Sequence, residues 1–163
     1  MLESFILLAI LLLIVIAYIL IVTYFLPKFG VQSMPEDIKE KIMSMPELPK
    51  WRTIIGYIGV SILVLGVIGV LIAAGVLAVR EKLSFGMIFA RYLIILWGYK
   101  AFDIICLDWF LITKTRFFQK VFPITENCEG YRQFGFNKKK QCMRVIAMPI
   151  ISFVISWILT WIV

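Results

Sequence analysis

Four long apolar runs dominate the pattern of hydrophobic and polar positions, and shorter polar segments separate them. The runs cover residues 5–26, 54–79, 86–112 and 145–163. A helix rises ~1.5 Å per residue, so each run is long enough to cross a hydrocarbon core of ~30 Å. The pattern therefore predicts an all-α, polytopic membrane protein in which residues 1–163 form a single domain of four transmembrane helices.

The first run is long for the apolar core of a cleaved signal peptide. Glu3 precedes it, no Lys or Arg does, and no small-residue cleavage site follows it. We therefore predict a retained first helix. This run contains no glycine, so we expect its helix to be the one most exposed to lipid.

The composition and the distribution of charge favour a membrane location and indicate an orientation. The chain is 62% hydrophobic and carries a net charge of +7. Five Lys or Arg residues lie in the loop 27–52 and eight in the loop 113–144, whereas the turn after the second run holds Arg80 and Lys82. Because short basic loops stay in the cytoplasm, we predict a multi-pass plasma-membrane protein with both long loops cytoplasmic and both termini outside. No nucleic-acid motif accompanies the charge, so we expect anionic lipid headgroups as partners and no nucleic acid.

The third run contains charges where a membrane helix normally has none. Lys100 and Asp103 lie near its middle, Arg91 towards its start and Asp108 towards its end. The segment 87–112 has 13 Leu, Ile and Phe residues. Each contributes about −0.3 to −0.6 kcal/mol to insertion, whereas the central Lys and Asp each cost about +2.5 to +3.5 kcal/mol. Since the sum is near zero, we expect this helix to be held among the others with its polar face inward.

The polar face of the third run is predicted to contain Tyr99, Lys100, Asp103 and Cys106. Lys100 and Asp103 are spaced to form an ion pair, and Tyr99 is placed to hydrogen-bond to Asp103. Two interpretations stay open: a structural ion pair that fixes helix register, and a polar pathway or binding site in which a member of the pair titrates. In the structural interpretation, Arg91 extends outward to the headgroups and Asp108 lies at the inner interface.

Small residues in the second and fourth runs predict close helix packing. Helices in lipid associate through small residues and polar contacts, because lipid tails are as apolar as leucine. The expected packing residues are Gly59, Gly66, Gly69 and Ala73 in the second run and Ser152, Ser156 and Thr160 in the fourth.

The two long loops have features of their own. In the first, Pro35 followed by Glu36 and Asp37 predicts a short helix, which is either an interfacial helix on the membrane surface or a capped connector between the two runs. In the second, basic and aromatic residues alternate, and we expect a structured loop in which Asp108, Glu126 and Glu129 face one basic cluster. The residues expected to contact anionic headgroups are Lys114, Arg116, Lys120, Lys138, Lys139, Lys140 and Arg144.

The second loop also carries a resemblance. Asp108–Trp109, the motif Pro-x-Thr-Glu at 123–126, Gly130–Tyr131 and an aromatic-Gly-aromatic triplet at 134–136 together resemble small uncharacterised four-span integral membrane proteins of bacteria and archaea. The resemblance covers about residues 100–145. It implies a four-helix membrane fold and carries over no activity and no functional residue.

Three functions are compatible with these features. The leading hypothesis is a non-enzymatic accessory, scaffold or lipid-interacting protein, alone as a homo-oligomer or within a larger membrane complex. The alternative is a channel or transporter subunit for protons or small solutes that uses the Lys100–Asp103 face. The second alternative is an enzyme acting on a lipid-linked anion, with Asp108 or Glu126 as acid or base. The chain has no histidine and three cysteines without metal-site spacing, so we expect no metal and no cofactor.

Overall fold

The structure, a computed structural model, describes residues 1–133, 135 and 138–162. Phe134 and Phe136 of the resemblance, and Val163 at the end of the predicted fourth run, lie outside the described residues. Within the described ranges the fold is all-α and contains no strand.

The α-helices are α1 (Leu2–Phe25), α2 (Pro27–Gly30), α3 (Glu36–Met43), α4 (Lys50–Arg80), α5 (Phe85–Phe102), α6 (Phe117–Val121) and α7 (Lys138–Thr160). A π-helix, Asp103–Lys114, continues α5, and 3-10 turns cover Val31–Ser33, Pro123–Thr125 and Glu129–Arg132. Of these elements, α1, α4 and α7 are long and apolar enough to span a membrane. The prediction of an all-α chain with membrane-spanning helices is confirmed for these three by length and composition.

The helix that contains the fourth apolar run begins earlier than the run itself. Helix α7 starts at Lys138 rather than at residue 145, so the three consecutive lysines and Arg144 belong to a helix and not to a loop. Hydropathy marks only the apolar part of a helix. Lys, Gln, Met and Arg are good helix formers, and no Pro or Gly interrupts the chain between Lys138 and Pro149, so the helix extends through the basic segment.

Helix α1 lies between α4 and α5, and α5 also packs on α7. Helices α1 and α4 run antiparallel, because Gly56 of α4 faces Leu26 near the end of α1, whereas Gly66 faces Ile14. Helices α1 and α5 run parallel, because Arg91 bonds to Glu3 and Gly98 faces Leu8. The two long loops therefore gather at the end of the bundle where α1 terminates and α7 begins.

The expectation that α1 is the helix most exposed to lipid is wrong, because a smaller share of α7 than of α1 is buried inside the bundle. A Cβ atom added at Gly59 would lie 3.0 Å from Ile21, and one added at Gly66 would lie 3.2 Å from Ile14. The large side chains of α1 thus occupy spaces that glycines on its neighbour leave open. Helix α1 needs no glycine because its partner provides the close approach.

The small-residue stripe of α4 is used only in part. No atom lies within 4 Å of the Cβ position of Gly69, whereas Ala73 borders the core of the bundle. Gly75 was not among the predicted packing residues, but a Cβ atom added to it would lie 3.0 Å from the Tyr92 hydroxyl oxygen. The core of the bundle consists of Leu7, Leu11, Val70, Ala74, Ala78, Ile88, Tyr92 and Ile95.

A second core joins the two long loops at the other end of the bundle. We call this unit, residues 27–45 and 115–133, the cap; its buried residues are Val31, Ile38, Ile42, Phe118, Phe122, Cys128 and Tyr131. Ile38 and Ile42 have no exposed surface, so the apolar face of α3 packs on the second loop. The prediction that this helix lies with that face on the membrane is therefore wrong, because protein already covers the face.

Asp37 connects the halves of the cap. One carboxylate oxygen accepts the backbone N–H of Gly130 at 2.8 Å and the other accepts that of Ile38 at 2.9 Å. A Cβ atom at Gly130 would lie 2.3 Å from the Asp37 carboxylate and 2.5 Å from Pro35, so this close approach requires glycine. Nearby, the Thr125 and Tyr131 hydroxyls are 2.7 Å apart, and burial raises the pKa of Tyr131 above its usual value.

Candidate functional site

Lys100 and Asp103 form an ion pair in which Lys100 Nζ donates to Asp103 Oδ2. The side chain of Lys100 is only 2% exposed and that of Asp103 is 18% exposed. The two residues sit where α5 passes into the π-helix. Because a buried ammonium group without a partner is costly, the adjacent carboxylate neutralises Lys100 inside the bundle.

The π-helix changes which residues share the polar face. Its wider i→i+5 bonding is seen in the N–H of Thr115, which donates to the Phe110 carbonyl at 2.9 Å. Residues four to five apart then align, which places Asp103, Leu107 and Asp108 on one side. Cys106, predicted on this face from a period of 3.6, is not among the described residues that line the same cavity. Nor is Tyr99 within hydrogen-bonding distance of Asp103 in the described part of the chain, so that predicted bond is wrong.

A cavity of about 410 Å³ lies between the bundle and the cap. Its apolar wall includes Val22, Val31 and Leu111, together with Phe118 and Phe122 of the cap. Its polar wall is supplied by Tyr18, Thr23, Gln32, Tyr99, Asp103, Asp108, Gln141 and Arg144. The cavity thus brings together parts of α1, the π-helix, the cap and the basic start of α7.

Asp108 points into this cavity rather than to solvent at the inner interface. The Gln141 side-chain N–H donates to Asp108 Oδ2, which joins the π-helix to α7. The other end of the Gln141 amide, its carbonyl oxygen, is buried and has no hydrogen-bond partner among the described residues.

Arg91 occupies a site that the sequence did not reveal. The prediction that it extends outward to the headgroups is wrong, because the residue is only 2% exposed. Its guanidinium donates to Glu81 at 2.8 Å and to Glu3 at 3.1 Å, and its second Nη atom donates to the Ala74 carbonyl at 3.4 Å. We call Arg91, Glu3 and Glu81 the clamp. The hydrogen bond from Arg91 holds the pKa of Glu81 below its usual value.

The predicted polar packing residues of α7 make their hydrogen bonds within their own helix. The hydroxyls of Ser152, Ser156 and Thr160 each donate to the carbonyl four residues earlier, at 2.9, 2.6 and 2.7 Å. Ser152 and Ser156 are fully buried, whereas Thr160 is exposed. The two serines therefore face the bundle, and Thr160 does not.

A hydrogen bond between α5 and α7, which the residue spacing did not predict, compensates for Pro149. Proline has no N–H, so the carbonyl of Val145, four residues earlier, loses its helical partner. The indole N–H of Trp97 donates to this carbonyl at 3.2 Å. The carbonyl that Pro149 leaves without a helical donor is thus satisfied by a side chain of α5.

The predicted basic and acidic residues of the second loop do not form one cluster. Lys114 and Arg116 line a polar cavity of about 500 Å³ with Glu126, Glu129 and Arg132. Lys139 and Lys140 border a separate surface cavity beside α3, and Lys120 and Lys138 are exposed elsewhere. Asp108 faces the bundle cavity, away from Glu126. The expectation that Asp108, Glu126 and Glu129 face the same cations is therefore wrong for Asp108.

All three cysteines are free, and Cys128 is buried in the cap, where its thiol contacts the Asp37 carbonyl at 3.7 Å. Within residues 1–133, 135 and 138–162, no three Cys, Asp or Glu side chains are grouped to hold a metal ion. Comparison of the chain with known protein families, with curated proteins and with solved structures gave no match.

Proposed function

We propose that the chain crosses the membrane four times and acts as a non-enzymatic, lipid-interacting or scaffolding membrane protein. The fourth crossing would be α5 with its π-helical continuation. This segment runs parallel to α1, with Arg91 near Glu3 and Gly98 near Leu8. It runs antiparallel to α7, with Phe85 near Phe153 and Trp97 near Val145. Its charges have partners within the protein, which removes the main objection to placing it in lipid.

The proposed orientation has both termini outside the plasma membrane and the cap in the cytoplasm. The cations of both long loops lie at the cap end, whereas Arg80 and Lys82 flank the turn at the opposite end. The distribution follows the rule that Lys and Arg accumulate on the cytoplasmic side. Reporter fusions at both termini and in the cap would test it, and a cytoplasmic C-terminus would contradict it.

One observation carries the lipid-interacting function: ions inside the bundle pair with each other, while the cations at the cap end remain exposed. The exposed side chains there include Lys114, Arg116, Lys120, Lys138, Lys139, Lys140 and Arg144. Each cation near an anionic leaflet contributes about 1 kcal/mol to binding. We infer that this surface holds the cap against anionic headgroups.

The experiment compares the protein in nanodiscs of neutral lipid with nanodiscs containing anionic lipid. Anionic lipid is expected to protect the cap from trypsin, and raising the salt concentration is expected to reverse that protection. Replacing Lys138, Lys139 and Lys140 with glutamine should remove most of the effect, whereas Lys82→Gln at the opposite end should leave it unchanged. Equal cleavage in both lipids would contradict the proposal.

A second candidate is conduction of protons or a small solute. It is favoured by Asp103 and Asp108, two carboxyl groups of the third run that line one cavity. Flux in proteoliposomes that is lost in Asp103→Asn and kept in Glu126→Gln would support this candidate. Absence of flux in the wild-type protein would remove it.

A further inference from the structure

The cavity between the bundle and the cap has two chemically different walls. Aliphatic and aromatic side chains form one, and hydroxyl, amide, carboxyl and guanidinium groups form the other. A volume of about 410 Å³ is within the range of about 300–1,000 Å³ that is usual for small-molecule sites. This combination fits an amphiphile rather than a uniformly polar solute or a lipid tail alone.

Two carboxylates give the polar wall strong acceptors. Asp103 and Asp108 present their oxygens at the cavity. Neighbouring groups satisfy these acceptors only in part: Lys100 reaches one Asp103 oxygen and the Gln141 amide N–H reaches one Asp108 oxygen. The group that completes them must carry several N–H or O–H donors, and a positive charge would favour it beside two carboxylates.

Arg144 gives the same wall a second, opposite preference. It lines the cavity from the basic start of α7, three residues after Gln141. A guanidinium group binds phosphate strongly and with defined geometry. Acceptors for a cation and a donor for an anion on one wall therefore match a headgroup that carries both charges.

The cavity also lies at the height where a headgroup is expected. Its lining runs from Val15 in α1, through Pro27 where that helix has ended, to Phe118 and Phe122 of the cap. If the bundle lies in the membrane as proposed above, this level is the boundary between the hydrocarbon core and the cytoplasm.

We propose that this cavity binds one phospholipid with a primary-ammonium, zwitterionic headgroup, of the phosphatidylethanolamine class. The ammonium N–H groups donate to the carboxylates of Asp103 and Asp108, and the phosphate accepts from Arg144. The inference rests on the membrane placement given above and adds the lipid class that it selects. A quaternary ammonium headgroup has no N–H donor for these carboxylate oxygens, and a purely anionic headgroup has no cation for them.

The test uses the full-length protein in nanodiscs that contain equal amounts of phosphatidylethanolamine, phosphatidylcholine and phosphatidylglycerol. After release into a mild detergent, native mass spectrometry counts the lipids that stay bound. We expect one tightly retained phosphatidylethanolamine, preferred about tenfold over either competitor, because each competitor lacks one charge-assisted contact. Equal retention of the three lipids, or a preference for phosphatidylglycerol, would overturn the proposal.

Two variants locate the site. Asp108→Asn keeps the shape of the side chain and removes its charge, and should remove most of the preference over phosphatidylglycerol, which has no cation for that charge. Arg144→Gln should weaken retention of all three lipids, because each carries a phosphate. Glu126→Gln, in the separate polar cavity, is the matched control and should retain lipid like the wild type. Unchanged lipid selection in both cavity variants would overturn the assignment.

The outcome can be separated from that of the proposed function. Resistance of the protein to alkaline extraction and the reporter fusions test the membrane placement without reference to any lipid class. If both succeed while phosphatidylethanolamine is not preferred, only the cavity assignment fails. If Asp108→Asn misfolds, as judged by its thermal transition in detergent, Arg144→Gln and the lipid competition still decide the question.

Discussion

The two buried cations of the third apolar run, Arg91 and Lys100, are neutralised by different kinds of partner. The clamp joins Arg91 to Glu3 and Glu81, which lie on two other parts of the chain, so one cation fastens three segments. Lys100 pairs instead with Asp103, three residues away on the same continuous helix. The first arrangement closes the end of the bundle opposite the cap, whereas the second lies beside a cavity.

The difference separates a fastening role from a binding role. A long-range ion pair holds separate segments together, so its loss affects the whole fold. A local pair holds no other element and mainly neutralises its own helix. The Lys100–Asp103 pair is therefore compatible with a neighbouring site, and the residues that join the π-helix to α7 there are Asp108 and Gln141.

The largest expected effect comes from removing the clamp. Arg91→Met should lower the free energy of unfolding by about 3 kcal/mol, the low end for a broken buried pair, because Glu3 and Glu81 still reach solvent. The measurement is reversible unfolding in mixed micelles. Arg80→Met, an exposed arginine at the same end, is the control and should change the free energy by less than about 0.5 kcal/mol. Equal effects of the two substitutions would contradict the clamp.

The clamp should also respond to acid. The pKa of folded Glu81 is lowered from its usual value of 4.5 by the hydrogen bond from Arg91. A carboxylate whose folded pKa is lowered stabilises the fold above its unfolded pKa, and this contribution is lost as the pH falls through the folded pKa. The stability difference between the wild type and Arg91→Met should therefore shrink below pH 4.5. A constant difference down to acid pH would show that Glu81 has no part in the clamp.

The local pair is expected to contribute less. Lys100→Met leaves Asp103 without its cation, but that carboxylate borders a cavity and can relax, so we expect a loss of about 2 kcal/mol. The double variant Lys100→Met with Asp103→Asn should be more stable than the single variant by about 1 kcal/mol. Lys82→Met is the exposed control. A double variant less stable than the single one would mean that Asp103 stabilises the fold through some other group.

How much of this could be read from the sequence depends on the range of each interaction. The apolar runs predicted α1, α4 and α7 because the length and hydropathy of a segment depend only on consecutive residues. The partners of Arg91 lie 88 and 10 residues away, and no spacing rule connects them. Cys106 was assigned to the wrong face for another reason. The prediction used the α-helical period of 3.6 residues for a segment that forms a π-helix. Residue preferences do not indicate where an α-helix passes into a π-helix.

The cap offers a test that does not depend on charge inside the bundle. Gly130→Ala places a Cβ atom 2.3 Å from the Asp37 carboxylate, so the two halves of the cap must separate slightly. In a background with serine at Cys106 and Cys142, labelling of the buried Cys128 thiol by a maleimide should become about tenfold faster, which corresponds to ~1.4 kcal/mol of local stability. Gly69→Ala, with nothing within 4 Å, is the control. Unchanged labelling of Cys128 would contradict the close approach of Asp37 and Gly130.

The smallest expected effect lies between the two regions, where α5 meets α7. Trp97→Phe removes the indole donor to the Val145 carbonyl and should cost about 1 kcal/mol. Pro149→Ala restores the helical N–H that this carbonyl lacks, so in that background Trp97→Phe should cost close to nothing. Trp157→Phe, an exposed indole on α7, serves as the control. Equal costs of Trp97→Phe with proline and with alanine at 149 would show that Trp97 contributes by packing alone. A cost that disappears with alanine would show that α5 stabilises its neighbour by repairing the backbone bond that Pro149 breaks.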